Sequence, residues 1–367
     1  MSATTNGQDR PELQKVIQEI VDSGFVGMSL RVRDEHGEWA GSAGAAELGG
    51  DAPPPVEGHV RIGSNTKTFT ATVVLQLVAK GRIALEDSVA GYLPGFGLDE
   101  RITVRMLLQH TSGVFNFTGD YYPDFVPGIV WSGREWVQDR LRVYRPQELV
   151  ELALSKPARF APGTDWSYAN TNYVLARLLI EKVTGRTIAQ EMQRLILEPL
   201  GLTGTVVPDC PQIPGPHAHA YYRYEQDGQT RTVDVTRQNP SWISSGGDMI
   251  STTRDLQTFI TALVGGRLLP AGLLAEMLTP EDKAGYGLGV FVQPNGGGTL
   301  ITHNGGISGH AALMYTTPDG ATTLTAALNY VDDADLSLGP AFQEATQRLV
   351  QEVFGSGQTN EAAQPTA

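Results

Sequence analysis

The segment IGSNTKTFTATVVLQLVAK, residues 62–80, carries a serine where a strand-like run passes into a helical one. The pattern places Ser64 at a helix N-terminus and Lys67 one turn further along the same face. Free backbone N–H groups and the positive end of the helix dipole stabilise a developing alkoxide there. A lysine beside the hydroxyl can take its proton if burial or neighbours lower the lysine pKa. The alternative is that Ser64 only caps the helix, a task that suits serine well.

A second candidate lies further along, in PGTDWSYANTNYVLARLLIEKVTG, residues 162–185. Tyr168 and Asn170 stand two apart, just ahead of a helical run, so both side chains can point into one cleft. A phenol can shuttle a proton, and an amide can bind a substrate carbonyl or orient the lysine. The alternative is that Asn170 or Thr171 caps the helix while Tyr168 packs in the core.

A third candidate, His303-Asn304-Gly305-Gly306, ends a strand-like run. Asn-Gly is a favoured hairpin turn, and that reading competes with a functional one. In the functional reading His303 faces a cleft, and the two glycines let the backbone approach a ligand closely.

The two ends of the chain differ from its middle. Strand-like runs occupy 26–34 and 38–44, and four more lie in the last third, separated by short turns that favour antiparallel pairing. Helices are predicted at 11–23 and near the end at 338–353. The middle favours helix over the ranges 66–80, 103–110, 147–155, 171–183, 187–197 and 253–264.

Strands from both ends and helices between them predict an α+β architecture, an antiparallel sheet flanked by helices with a mostly helical insertion. The α/β domain is expected to combine 10–65 with 285–355, and 66–284 is expected to form the mostly helical domain. Residues 1–9 and 356–367 are expected to be disordered tails, because they are polar.

Composition narrows the class of partner. The formal net charge is −13 and no basic run is present, which argues against nucleic acid as the main partner. The N-terminal residues lack an apolar core of the kind that signal peptides carry, and the apolar stretch 71–79 is too short to span a bilayer. We therefore expect a cytoplasmic protein without a membrane partner, as a monomer or homodimer.

The order Ser-x-x-Lys, Tyr-x-Asn, His-x-Gly resembles the DD-carboxypeptidase and class C β-lactamase family of active-site-serine penicillin-recognising enzymes. The resemblance runs over roughly 12–355 and includes ITVRMLLQHTSGV, SGGDMISTTRDL and GYGLGV. It implies an α/β domain and an all-helical domain, with the active site in the groove between them. The chemistry that it implies is acyl transfer without a cofactor or metal.

Carried over residue by residue, the resemblance gives roles to the three candidates. Ser64 would be the nucleophile, with Lys67 and Tyr168 as the proton-transfer pair and either of them as the base. His303 would line the pocket beside Tyr168. The oxyanion hole would be formed by the backbone N–H groups of Ser64 and Gly306.

The substrate pocket is expected to involve further residues. The resemblance gives Asn170 a contact with the acyl amide of the substrate and makes Trp242 a wall of the cleft. The remaining expected contacts are Asn304, Gly305, Phe115 and Phe117, the last two from the aromatic-rich stretch 115–125.

Two histidine features fall outside these motifs. His217 and His219 have a spacing seen in metal sites but lack nearby ligand partners in the sequence, so no metal site is predicted. His110, in LLQHTSG, is expected to have a structural role more than a catalytic one.

The chain departs from carboxypeptidase relatives, which hold a free substrate carboxylate with hydroxyl residues and an arginine. Here Asn304 and Gly306 occupy the hydroxyl positions, and the preceding strand region GVFVQPNGGG has no basic residue. A protonated His303 would compensate only partly. We therefore expect a small-molecule or peptidyl ester or amide donor whose acyl group passes to an amine or to water.

Other classes of function stay open at this point. They are a DD-carboxypeptidase or β-lactamase-type hydrolase, a D-amino-acid amidase or esterase, and a non-catalytic sensor on the same fold.

Overall fold

The computed structural model describes residues 9–121, 124–296 and 298–355. The helices are α1 (Pro11–Asp22), α2 (Asn65–Ala79), α3 (Val89–Tyr92), α4 (Val104–Gln109), α5 (Gly133–Asp139), α6 (Pro146–Leu154), α7 (Asn170–Thr184), α8 (Ile188–Met192), α9 (Glu198–Leu200), α10 (Thr253–Val264), α11 (Ala271–Met277) and α12 (Gly339–Phe354). The strands are β1 (Gly27–Asp34), β2 (Gly37–Gly44), β3 (Val60–Arg61), β4 (Asp120–Tyr121), β5 (Phe125–Val126), β6 (Tyr221–Gln226), β7 (Gln229–Asp234), β8 (Ile250–Ser251), β9 (Phe291–Asn295), β10 (Gly298–Ile307), β11 (His310–Thr316), β12 (Thr323–Asn329) and β13 (Val331–Asp333).

The main sheet of the described residues has six strands in the order β2-β1-β12-β11-β10-β9. Every neighbouring pair in it is antiparallel. Strands from the two ends of the chain therefore meet at the centre, where β1 pairs with β12. An antiparallel sheet with helices packed on it confirms the predicted α+β class.

The two faces of this sheet bury different cores. Leu13, Ile17 and Ile20 of α1 recur at helical spacing and pack with α12 against one face. On the other face α10 packs against β12, β11 and β1, and α2 packs against β10 and β11. The alternation along β10 therefore decides which side chains point toward α2.

The central helix α2 is buried on every side, including its threonines. Thr68 Oγ1 donates to the Gly289 carbonyl oxygen over 2.8 Å, and Thr70 Oγ1 donates to the Ser245 carbonyl oxygen over 3.1 Å. Hydrogen bonds of this kind allow polar side chains to be buried. They tie the first turns of α2 to the loops that surround Ser64.

The predicted domain boundaries stay a prediction, although the helical segment is less uniform than expected. Within 66–284, the hairpin β6–β7 joins β13 in a second sheet, and α10 packs on the main sheet. The sequence analysis also missed the short helices α5 and α11. The predicted disordered tails lie outside the described residues, except for Asp9.

None of the helices in the described ranges has both the length and the apolar composition needed to cross a bilayer.

Candidate active site

Ser64 lies at the N-terminus of α2 and is 4% exposed. Its backbone already has helical angles, φ −63° and ψ −8°, and its side chain makes no capping hydrogen bond to the first turn. A capping serine has extended backbone angles and accepts a hydrogen bond from an N–H of that turn. The geometry thus does not support the capping alternative, and the hydroxyl is available to Lys67 and Tyr168.

Lys67 is fully buried and makes three close contacts through its Nζ. The distances are 2.9 Å to Ser64 Oγ, 2.7 Å to Asn170 Oδ1 and 2.6 Å to the Gly246 carbonyl oxygen. Burial lowers the pKa of Lys67 well below its ordinary value, opposed by the negative charge of Asp248. A neutral amine has two N–H donors, which the two carbonyl oxygens use. Its lone pair therefore faces the Ser64 hydroxyl.

Tyr168 is also buried, with its ring centroid 4.7 Å from Lys67 Nζ. Burial raises the pKa of Tyr168, although a hydrogen bond to the Ser64 side chain opposes the shift. The phenol therefore keeps its proton near neutral pH. It can donate or relay a proton at Ser64, whereas a neutral Lys67 would offer a lone pair there.

Asn170 begins α7, and its amide oxygen holds Lys67 in place. The backbone N–H of Asn170 donates to Asn116 Oδ1 over 3.0 Å. Its Nδ2 lies 3.4 Å from Thr118 Oγ1. Asn170 thus orients the lysine, one of the two functions that its position in the sequence suggested.

The backbone of β10 passes directly beside Ser64. A Cβ atom on Gly305 would lie 2.3 Å from the Ser64 backbone nitrogen, and one on Gly63 would lie 2.7 Å from the Gly306 nitrogen. Only glycine permits such an approach without displacement of one backbone.

The register of β10 shows where the Gly306 N–H points. Ser308 and Gly309 both have positive φ, 36° and 84°, which makes a two-residue hairpin turn between Ile307 and His310. In an antiparallel pair, hydrogen-bonded and non-hydrogen-bonded residue pairs alternate, and the pair next to this turn, Ile307 and His310, is hydrogen-bonded. The next pair, Gly306 and Ala311, is therefore not hydrogen-bonded, and the Gly306 N–H points away from β11. The next strand, β9, reaches only Thr302. The N–H of Gly306 is therefore on the open edge beside Ser64, as an oxyanion hole requires.

The His303 side chain lies on the same face of β10 as Gly305, the face beside Ser64, and is 1% exposed. Its Nδ1 is 2.9 Å from the Asn304 carbonyl oxygen, and its Nε2 is 3.1 Å from the Tyr286 hydroxyl. The carbonyl can only accept, so Nδ1 carries the proton. Burial lowers the pKa of His303 to about 3. The protonated form of His303, which would compensate only partly for the missing carboxylate contacts, is therefore not expected near neutral pH.

Three predicted substrate contacts have other neighbours in the structure. Asn304 points to the α1–α12 face of the sheet, because alternate residues of a strand face opposite sides, and its Nδ2 donates to the Tyr315 hydroxyl over 2.7 Å. Phe115 and Phe117 are 1% and 0% exposed and belong to the core around α2. A contact of the Asn304 side chain with a substrate at Ser64 is therefore not supported, and the substrate contacts of Phe115 and Phe117 remain predictions.

Trp242 is 3% exposed and lines a cavity of about 400 Å³ together with residues of α5 and α6. Its place as a wall of the substrate cleft remains a prediction.

Sequence reasoning missed several neighbours of the reacting atoms. Gly246 holds Lys67 through a carbonyl oxygen, and no side chain marks such a role in a sequence. Tyr286 contacts His303, and Asp248 lies buried near Lys67. The segments SGGDMISTTRDL and GYGLGV, which contain these residues, were noted only as parts of the resemblance.

His217 and His219 contact partners that could not be identified from the sequence. His219 Nδ1 is 2.7 Å from Asp234 Oδ2, while His217 Nδ1 is 2.8 Å from the Gly215 carbonyl oxygen. No group of three His, Cys, Asp or Glu side chains that could hold a metal ion occurs in the part of the chain described by the structure.

The chain is similar in sequence and in fold to known proteins. The chain matches the family model described as Beta-lactamase over residues 13–345. Among solved structures it resembles a D-stereospecific amidohydrolase from Streptomyces sp., with 36% identity, a TM-score of 0.81 and coverage of 95% of this chain and 99% of that one. It also resembles the D-amino acid amidase from Ochrobactrum anthropi SV3, with 25% identity, a TM-score of 0.80 and coverage of 94% and 98%.

A curated relative extends the comparison to penicillin-binding proteins. Penicillin-binding protein 4* of Bacillus subtilis (strain 168) is 27% identical over 310 residues, which cover 80% of this chain and 66% of that protein's length. The family model spans most of the chain, and the structural neighbours share its β-lactamase/transpeptidase-like fold. The chain therefore belongs to the beta-lactamase family of serine hydrolases and acyl-transfer enzymes.

Proposed function

We propose that this protein is a serine acyl-transfer enzyme that forms an acyl-enzyme at Ser64 from an amide or ester donor. The observation that carries the proposal is the 2.9 Å distance between Lys67 Nζ and Ser64 Oγ in a buried site. Burial there lowers the pKa of Lys67 well below its ordinary value. A neutral amine in that position can take the serine proton as Oγ attacks the donor carbonyl.

Acylation then transfers one proton, in net terms, from Ser64 to the leaving group by way of Lys67 and Tyr168. The Ser64 Oγ forms a bond to the donor carbonyl carbon while its proton passes to Lys67 Nζ. The carbonyl oxygen takes the negative charge beside the N–H groups of Ser64 and Gly306. As the carbon–nitrogen or carbon–oxygen bond breaks, the leaving group takes a proton from the Tyr168 hydroxyl, which recovers one from Lys67. Attack by water or an amine reverses these steps.

The site favours a donor whose leaving end is uncharged. His303 is neutral, and Asn304 directs its side chain to the other face of the sheet. Gly306 offers only its backbone. A carboxylate bound beside these residues would lose its water without a charge-assisted hydrogen bond in return. We therefore propose an ester or amide donor over one that ends in a free acid.

The acyl part is proposed to be a D-amino-acid residue. The support is the name of the Streptomyces neighbour, a D-stereospecific amidohydrolase at 36% identity, and that of the amidase from Ochrobactrum anthropi. Transfer to an amine acceptor, as in amide synthesis, remains the second outcome of the same acyl-enzyme. The motifs are alike for water and for an amine.

The test compares matched donors that differ in one feature at a time. D-phenylalanine amide and D-phenylalanine methyl ester are compared with their L enantiomers, and D-phenylalanyl-D-alanine methyl ester is compared with the free acid D-phenylalanyl-D-alanine. We expect kcat/KM to be about tenfold or more higher for the neutral D donors than for the free acid. A preference for the free acid, or rapid stoichiometric labelling by penicillin, would return the protein to the carboxypeptidase reading.

The same assay separates the two acceptors and the non-catalytic alternative. With a primary amine added, aminolysis and hydrolysis products are measured side by side, and an excess of amide at modest amine concentration establishes the transferase. A fluorophosphonate probe with mass spectrometry tests the serine itself, since a non-catalytic sensor leaves Ser64 unlabelled.

A further inference from the structure

We propose that His110 is a positioning residue that holds the Tyr168 phenol against Ser64. The proposal rests on the proposed function, because it assigns a task within that acyl-transfer site. His110 follows α4 directly, and its ring is fully buried beside the aromatic side chains that surround Lys67.

The backbone of His110 has an uncommon conformation. Its φ of 63° and ψ of 33° are left-handed, at the position that ends α4. Glycine is the usual residue at a helix end of this conformation, because it has no Cβ to clash. A histidine there is an exception, and non-glycine residues in such conformations concentrate at functional sites.

His110 binds the chain on both sides of Tyr168. The His110 carbonyl oxygen accepts from the Ser167 N–H over 3.0 Å, and its Nδ1 accepts from the Ala169 N–H over 3.2 Å. Tyr168 is thus held between two neighbours whose backbones are bonded to the same residue. Glycine would keep the first bond and lose the second.

The hydrogen bonds to Nδ1 also fix which nitrogen of the His110 ring carries the proton. Asn172 Nδ2 lies 3.0 Å from the same Nδ1, and the Asn172 amide oxygen accepts from Ser112 Oγ over 2.6 Å. A backbone N–H can only donate, so Nδ1 carries no proton and Nε2 does. Burial lowers the pKa of His110 well below its ordinary value, which keeps the ring neutral.

The ring itself packs on the phenol. The centroids of the His110 and Tyr168 rings are 4.3 Å apart with an interplanar angle of 34°. The Tyr286 ring follows at 4.9 Å, and Tyr286 is in turn bonded to His303. His110 therefore fixes Tyr168 through its backbone neighbours and through its ring face. It touches none of the reacting atoms.

Two variants at this position separate the parts of the proposal. His110→Gly relieves the left-handed backbone but removes the Nδ1 acceptor and the ring. His110→Asn keeps an acceptor near the Nδ1 position and tolerates positive φ. Asp227→Gly is the control, because Asp227 also has a positive φ, 53°. It lies in the β6–β7 turn, which belongs to a different sheet from β10.

The primary readout is the rate at which a fluorophosphonate labels Ser64, which requires no knowledge of the natural donor. We expect His110→Gly to slow labelling about tenfold to a hundredfold, as misplacement of a catalytic group by about an ångström does. His110→Asn should recover most of the rate, and Asp227→Gly should label like the wild type. With a turned-over donor, kcat should fall while KM stays within about threefold, and the shape of the pH profile should not change.

A double-mutant comparison shows whether His110 acts through the phenol. In a Tyr168→Phe background, His110→Gly should cause little further loss, because the group that it positions is gone. Equal loss in both backgrounds, labelling of His110→Gly at the wild-type rate, or no recovery by His110→Asn would overturn the proposal. If His110→Gly does not fold, Asn172→Ala, which removes one bond to Nδ1 from within α7, must slow labelling about threefold or more.

The two proposals fail in different ways. Labelling that depends on His110, without turnover of any amide or ester donor, would remove the proposed function and leave the positioning role. Wild-type protein with no labelling of Ser64 would overturn both.

Discussion

Lys67 Nζ lies 2.9 Å from Ser64 Oγ, and neither side chain has appreciable contact with solvent. Lys67 Nζ also donates to Asn170 Oδ1 and to the Gly246 carbonyl oxygen. Two of the Nζ contacts are thus taken by carbonyl oxygens, and the third is the Ser64 hydroxyl. This arrangement supports the proposal that Ser64 is the nucleophile and Lys67 its base, and the predictions that follow test it.

Ser64→Ala should abolish acylation and leave the fold intact, because it removes one oxygen from an already helical residue. Loss of a nucleophile that acts as part of a unit lowers kcat by about 10⁴-fold or more. The measurement is turnover of the best donor together with the thermal midpoint. Ser155→Ala, at an exposed serine that ends α6, is the matched control. Near-native turnover by Ser64→Ala on any donor would refute the assignment.

Lys67→Ala and Tyr168→Phe should each slow acylation strongly, and the double variant should be little slower than the worse single. Both residues contact Ser64, so breaking either link disables one proton path. Single-turnover rates on the two singles and the double test this. Lys80→Ala, at an exposed lysine that ends the same helix, serves as the control. Fully multiplicative losses would show that the two residues act independently.

Lys67 should make both activity and stability depend on pH with the same sign. The folded-state pKa lies below the ordinary value of 10.5, so between the two values the unfolded chain binds more protons than the folded one. The free energy of unfolding therefore rises with pH there, by at most about 1.4 kcal/mol per pH unit for one group. Activity also rises with pH as Lys67 loses its proton.

The variant Lys67→Met isolates this contribution to stability. The difference in free energy of unfolding between the variant and the wild type should shift in favour of the variant as pH falls from about 10 to about 7. Denaturant unfolding at several pH values measures it, with Lys182→Met, at an exposed lysine in the last turn of α7, as the control. A difference that stays constant across the range would mean that Lys67 keeps its ordinary pKa.

Gly305→Ala should disturb the oxyanion hole. Its Cβ would lie 2.2 Å from the Ile62 carbonyl oxygen and 2.3 Å from the Ser64 nitrogen, so one backbone must move. We expect a loss of stability of about 1–3 kcal/mol and a fall in kcat of about 10²-fold or more. Gly298→Ala on the same strand has no atom nearer than 3.8 Å and is the control. Unchanged kcat in Gly305→Ala would show that this edge does not contact the reacting oxygen.

The sequence alone determined the periodic elements and the short-range pairs of this protein. The helical spacing in α1 follows from which side chains are apolar, and the strand-like runs 26–34 and 38–44 follow from their composition and the turn between them; these elements were predicted close to their observed bounds. The spacing of Ser64 and Lys67 likewise depends only on the helix that contains them. The short helices α5 and α11 were missed because brief apolar runs give little periodic signal.

Only the tertiary structure decided the protonation states of the site residues and the directions in which their side chains point. Burial among segments that are distant in the sequence lowers the pKa of Lys67 and the pKa of His303. Asn304 turned away from the site because the register of β10 against β11 sets which residues face α2. Charge and orientation depend on neighbours that are remote in the sequence, and no local pattern records them.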